Sequence, residues 1–205
     1  MPTCRTGPFN SEYLQVLTVP ASHERVIAMR LIHTVSLKLH QFVAQKTPRY
    51  AILSHTWSGS EITLQQLAAG IKLRDDSKIK RACQQAAKNG FKYMWIDTCC
   101  IDKSCSAELT EAINSMFKYY MRAAVCYVYL EDLPKGDTLP LPALRACRWY
   151  TRGWTLQELI APKRVIFFDQ EWKRRGCKET LVDDLVTITG ICKSVLRNPA
   201  RLSSV

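Results

Sequence analysis

Four short apolar runs constrain this chain more than any other feature of its sequence. They are Tyr50-Ala-Ile-Leu-Ser54, Tyr93-Met-Trp-Ile96, Ala124 to Leu130 and Val165 to Phe168, and each is continuous rather than alternating. A strand that is apolar at consecutive positions is buried on both faces, which points to a parallel-type strand with helices above and below it. The intervening segments supply those helices. Ser77 to Lys88 gathers Ile79, Ala82, Cys83 and Ala86 on one face and stops at Asn89-Gly90, a helix-terminating pair. From Ser106 to about Met121, the residues Leu109, Ile113, Met116, Phe117 and Tyr120 recur at helical spacing. Glu108 and Glu111 stand in its first turns, where the helix dipole favours negative charge. A short helical stretch around Trp154 to Ile160 ends at Ala161-Pro162, just before the fourth run. The pattern predicts one α/β domain with a mainly parallel central sheet flanked by helices on both faces. No internal repeat or low-complexity tract interrupts it.

Several function classes fall away on composition. The 205 residues are 47% hydrophobic and 23% charged, a globular balance with room for one core. No apolar run approaches the roughly 20 residues that span a bilayer. The first twenty residues lack the basic start and apolar block of a secretory signal, so a cytoplasmic protein without a membrane partner is expected. Nine cysteines form an odd set, which favours reduced thiols over a disulfide framework. Cys99-Cys100 with Cys105 has neither C-x-x-C spacing nor a nearby histidine, so no metal site is expected. The net charge of +11 invites a nucleic-acid reading. However, the basic residues are scattered, with only Lys173 to Arg175 tightly clustered, and no basic block is interleaved with aromatics, which argues against it.

In open α/β sheets, ligands bind beyond the carboxyl ends of the strands. Here those ends carry Ser54-His55-Thr56-Trp57, Asp97-Thr98-Cys99-Cys100 and Glu131-Asp132. His55 is either a ligand or proton-transfer group, or a loop histidine that caps Ser54 or packs on Trp57. Trp57 either stacks on a planar ligand or closes the core. Asp97 either orients a ligand hydroxyl or, with Asp102, caps the loop and pairs with Lys103 and Arg122. Glycine-rich phosphate loops and a G-x-S-x-G elbow are both missing from the sequence.

Four blocks, taken together, resemble the fungal heterokaryon-incompatibility (HET) domain. They are YAILSHTW (50–57), YMWIDTCCIDKSCSAELTEAINSMFKYY (93–120), AAVCYVYLEDL (123–133) and RWYTRGWTLQELIAPKRVIFFDQEW (148–172). The chain departs from the family at Ser58, which precedes Gly59 where a glycine usually follows the tryptophan. The family often begins near Met-Arg-Leu, here Met29-Arg30-Leu31. Residues 1–28 are therefore expected to be an extension, disordered or from an upstream start, with the HET domain at 29–205, shortened at its C-terminal end. The resemblance implies a role in self/non-self recognition and programmed cell death, a form of fungal innate immunity. Self-association and an upstream recognition protein are the implied partners.

HET domains are in turn similar to Toll/interleukin-1 receptor (TIR) domains, which implies a TIR-like, flavodoxin-like three-layer fold. Catalytically active TIR domains cleave NAD at its nicotinamide–ribose bond, using a glutamate in a W-C-x-x-E-L motif. The corresponding residues here are Trp154-Thr155-Leu156-Gln157-Glu158-Leu159. Glu158 is thus the candidate catalytic residue, with Ser54, His55, Trp57, Asp97 and Trp154 as candidate ligand-binding residues. NAD would be a substrate, and no bound cofactor is expected. Glu158 also has a plainer reading, as a surface carboxylate paired with Arg152 or Lys163. A module that signals by interaction alone, without catalysis, is the alternative function.

Overall fold

The apolar runs form the centre of a seven-stranded sheet. A computed structural model describes residues 28–43 and 46–198. In chain order the strands are β1 (Ala28–His33), β2 (Leu39–Val43), β3 (Ala51–His55), β4 (Tyr93–Trp95), β5 (Val125–Tyr129), β6 (Val165–Phe168) and β7 (Arg174–Cys177). The helices are α1 (Leu64–Ala68), α2 (Lys78–Lys88), α3 (Asp97–Cys100), α4 (Ser106–Arg122), α5 (Leu141–Arg145), α6 (Thr155–Ile160), α7 (Val182–Thr189) and α8 (Lys193–Arg197), with a 3-10 turn at Arg148–Thr151. No helix among the described residues is long and apolar enough to cross a membrane. The proposed extension lies outside the described residues up to residue 27, and Met29-Arg30-Leu31 sits in β1.

The spatial order is β2-β1-β4-β3-β5-β6-β7. The four strands read from sequence run parallel as β4-β3-β5-β6, whereas β1, β2 and β7 add three antiparallel ladders. The sheet is therefore mixed rather than mainly parallel. The added strands sit toward the edges and are partly polar: β2 and β7 are half-exposed, so they lack the continuous apolar signature of a doubly covered strand.

Every residue of β3, β5 and β6 is buried, so both faces of the parallel core are covered. Register separates the two faces. Ser54 lies beside Val128, which pairs with Phe167, while Tyr127 lies between Leu53 and Ile166. On the Tyr127 face, Asn89 at the end of α2 donates Nδ2–H to the Tyr127 hydroxyl at 2.6 Å. On the Ser54 face lie the 3-10 turn and α6, and Trp149 meets Phe167 edge-on. Three layers result, as the periodicity implied.

Helix α2 begins at Ser77, whose side chain accepts from Lys80 N, and buries the four predicted residues Ile79, Ala82, Cys83 and Ala86. Seven cysteines, at 83, 99, 100, 105, 126, 147 and 177, are free thiols.

Candidate functional site

In the parallel core, β3 connects outward to β4 on one side, and β4 then crosses to β5 on the other. The chain thus reverses direction between β3 and β5, the switch point at which doubly wound sheets open a crevice. Ser54 and His55 are the last two residues of β3 and so stand at its lip.

Ser54 is fully buried and links two side chains that are far away in sequence. Its hydroxyl accepts Nε1–H of Trp149 at 2.7 Å and donates to Oε2 of Glu158 in a short hydrogen bond. Glu158 comes from α6, is 8% exposed, and makes no ion pair with Arg152 or Lys163. The surface-carboxylate reading is therefore wrong: a carboxylate pointed into the sheet finds a hydroxyl, not solvent. Burial pushes its pKa up to about 8, with the Asp97 charge adding to the rise; the Ser54 bond, Arg152 and the Tyr120 hydroxyl offset part of it. The group is thus largely protonated at neutral pH.

His55 sits 3% exposed beside this network. Its Nε2 lies 3.1 Å from Asp97 Oδ1 and its Nδ1 3.1 Å from the Thr56 carbonyl, with Glu61 at 3.9 Å. Both ring nitrogens therefore face oxygen acceptors, which fixes the ring plane. Asp97 uses its second oxygen to accept Trp57 Nε1–H at 2.8 Å. Burial raises the Asp97 pKa, but its bond to His55, the charges of His55 and Lys103 and the Trp57 bond more than offset this and hold it below the ordinary range. The expected pairing with Arg122 is replaced by this bridge between histidine and indole.

Trp57 does not close the core, since it is 47% exposed. The Lys103 ammonium stands 3.5 Å from its ring centroid and the Arg152 guanidinium 5.9 Å away. Arg152 also donates to the His55 carbonyl at 2.6 Å. Trp154, at the start of α6, is 46% exposed and its side chain makes no hydrogen bond among the described residues. The fold thus joins Ser54 to Glu158, and His55 to Asp97 and Trp57, with Arg152 between the two groups; Trp154 stays apart.

Sequence reasoning named Lys103 as a partner of the Asp97–Asp102 loop but missed Trp149, Tyr120 and Lys78 as members. Lys78 Nζ ties down the loop after β3 by bonding the Thr56 carbonyl at 3.1 Å, Ser58 Oγ at 3.3 Å and Glu61. Trp149 lay inside a quoted block, but nothing in its spacing marks it as a donor to Ser54. Among the cavities of the described residues, those of about 240 and 440 Å³ are lined by other residues and do not include Glu158.

Residues 50–142 match the family described as "Heterokaryon incompatibility protein (HET)". The matched segment contains Ser54, His55, Trp57 and Asp97 and ends before Glu158. The chain is also 47% identical over 162 residues to "Vegetative incompatibility protein HET-E-1" of Podospora anserina; the alignment covers 74% of this chain but only 12% of that protein. No solved structure matches. With its signature residues gathered at one end of the parallel core and these two likenesses, the chain belongs to the heterokaryon incompatibility (HET) family.

Proposed function

We propose that this chain acts in fungal heterokaryon incompatibility, coupling self/non-self recognition to programmed cell death through self-association triggered by an upstream recognition protein. Its chemistry is TIR-like cleavage of NAD at Glu158. One observation carries the enzymatic part: Glu158 meets Ser54 at the carboxyl end of the strand flanking the switch point. The parallel order β4-β3-β5-β6 supports the flavodoxin-like reading.

The same geometry gives self-association a task. Inside the single chain Glu158 is buried, hydrogen-bonded and held largely protonated. Nicotinamide departs from a pyridinium as a neutral molecule, so the leaving group needs no proton from an acid. An ionised carboxylate is needed to hold the ribose hydroxyls and stabilise the oxocarbenium-like transition state. Association that shifts α6 and admits water would lower the pKa of Glu158 and supply that charge. Arg152 lies beside it to favour the ionised form.

The test is NAD consumption by purified protein, with and without a crowding agent, against Glu158→Gln. Nicotinamide release by wild type under crowding, abolished in the variant at equal folding, supports the enzyme. Silence of both would favour a second reading, a death-signalling module without catalysis, which the burial of Glu158 itself supports. In that case Glu158→Gln leaves toxicity intact, whereas changes to exposed Trp57 or Trp154 remove it.

A further inference from the structure

The face of the sheet opposite Ser54 carries a groove of about 440 Å³ between α2 and β6. Its floor is β6 with Ile166 and Phe168, and its α2 wall includes Gln85 and Asn89. Arg49, Arg164 and Arg174 line it, and no carboxylate does. None of the three arginines forms an ion pair among the described residues; Arg49 only stands 5.9 Å from the Phe91 centroid. Many other described cations also lack an ion pair, while Arg30, Lys78 and Arg175 are matched with Glu108, Glu61 and Asp169; what sets these three arginines apart is that they line one concavity. Three exposed guanidiniums around one concavity give it a positive potential that favours an anion among them.

One end of the groove is built with local strain. Trp172 lines it with φ of +63°, a left-handed conformation rare for a bulky residue. The turn is held by Asp169, fully buried, which accepts from the backbone N–H groups of Glu171 and Lys173 at 3.0 Å and pairs with Arg175 at 3.0 Å. This clamp lays the indole flat on Tyr129, with centroids 4.8 Å apart. Strain of this kind persists where surrounding structure enforces it, and it gathers at binding sites.

We infer that this groove is a second ligand site, separate from Glu158, that binds a small phosphorylated molecule of mononucleotide size through Arg49, Arg164 and Arg174. The volume falls within the range of small-molecule sites, and planar, five-donor guanidiniums match phosphate oxygens. Phe91 and the outer face of Trp172, both only partly buried, give a planar ring a surface to contact.

Calorimetric titration of the full chain with ADP and, separately, with inorganic pyrophosphate tests this. Both probes should bind, and more weakly as salt rises. Tighter binding of ADP than of pyrophosphate assigns a contribution to the aromatic surface, and equal binding assigns all of it to the phosphates. Arg164→Ala with Arg174→Ala, both exposed positions, should weaken binding at least about tenfold with an unchanged circular dichroism spectrum. Gln85→Trp, which fills the groove and leaves every charge in place, should also block it. Glu158→Gln should bind like wild type, which separates this site from the proposed NAD chemistry. Absence of heat with both probes would overturn the inference, as would unchanged binding in the double variant. Binding confined to a single-stranded oligonucleotide would overturn it in favour of a nucleic-acid surface.

Discussion

A buried hydroxyl has one proton to give and lone pairs to fill, and Ser54 uses both by taking Trp149 Nε1–H and serving Glu158. Ser54→Ala would strand an indole N–H and a carboxyl group in the interior, at a cost of about 1–3 kcal/mol. Chemical denaturation should show this as a lower midpoint with an unchanged slope. Glu158 gives a second expectation, with a defined sign. Its folded pKa of about 8 lies above the ordinary 4.5, so the folded state holds its proton more tightly than the unfolded state does. That contribution is complete below about pH 4.5 and is lost as pH rises through about 8. Wild-type stability should therefore fall between pH 5 and pH 8, by an amount on the order of 4 kcal/mol. Glu158→Gln keeps the contact with Ser54 but cannot ionise, so its stability should stay flatter over that window. Parallel curves for the two proteins in urea melts would show that Glu158 does not titrate as a buried acid.

Helix α6 is only six residues long, too short to hold Glu158 by its own propensity. What fixes it is Lys178, 4% exposed, whose ammonium donates to the carbonyls of Leu159 at 3.1 Å, Ile160 at 3.4 Å and Pro162 at 2.5 Å. Those carbonyls at the helix end have no partner of their own within the helix. Burial lowers the Lys178 pKa to about 8, below its unfolded value, so its contribution is present above about pH 10.5 and lost as pH falls through 8. Lys178→Met should lower stability by about 1–3 kcal/mol at pH 8, and the deficit relative to wild type should widen as pH rises toward 10. A deficit that shrinks over that range would contradict the assignment. The elements around α6 also explain what the sequence could and could not disclose. β3, β5 and β6 were legible because each is apolar at every position, and α2 because its four buried residues follow the helical period. β7 was not, because Arg174-Arg175-Gly176-Cys177 reads as a basic cluster. Its pairing depends on the Asp169–Arg175 ion pair and on Gly176, where a Cβ would come within 2.8 Å of Leu181. In the site, Ser54, His55 and Asp97 could be placed at strand ends by order alone. Trp149 and Lys178 could not, since their contacts depend on the packing of segments 95 and 19 residues away.

At the scale of the whole molecule, charge and proposed function pull against each other. A net charge of +11 on 205 residues makes two copies repel at distances up to the Debye length, about 10 Å at 0.1 M salt. Self-association is what the proposed death signal requires, so the isolated chain should be held apart at low ionic strength and released by screening. Sedimentation velocity at 50 mM and 300 mM salt should show a larger associated fraction at the higher concentration. A polyanion that bridges copies should produce the same shift at low salt. If NAD cleavage depends on association, the rate of nicotinamide release should rise over the same salt interval, and Glu158→Gln should associate equally but release none. Association that weakens with salt would mean that ion pairs across the contact hold the copies together, and electrostatic repulsion would then not be the brake. Association that strengthens while NAD stays intact would leave clustering as the signal itself.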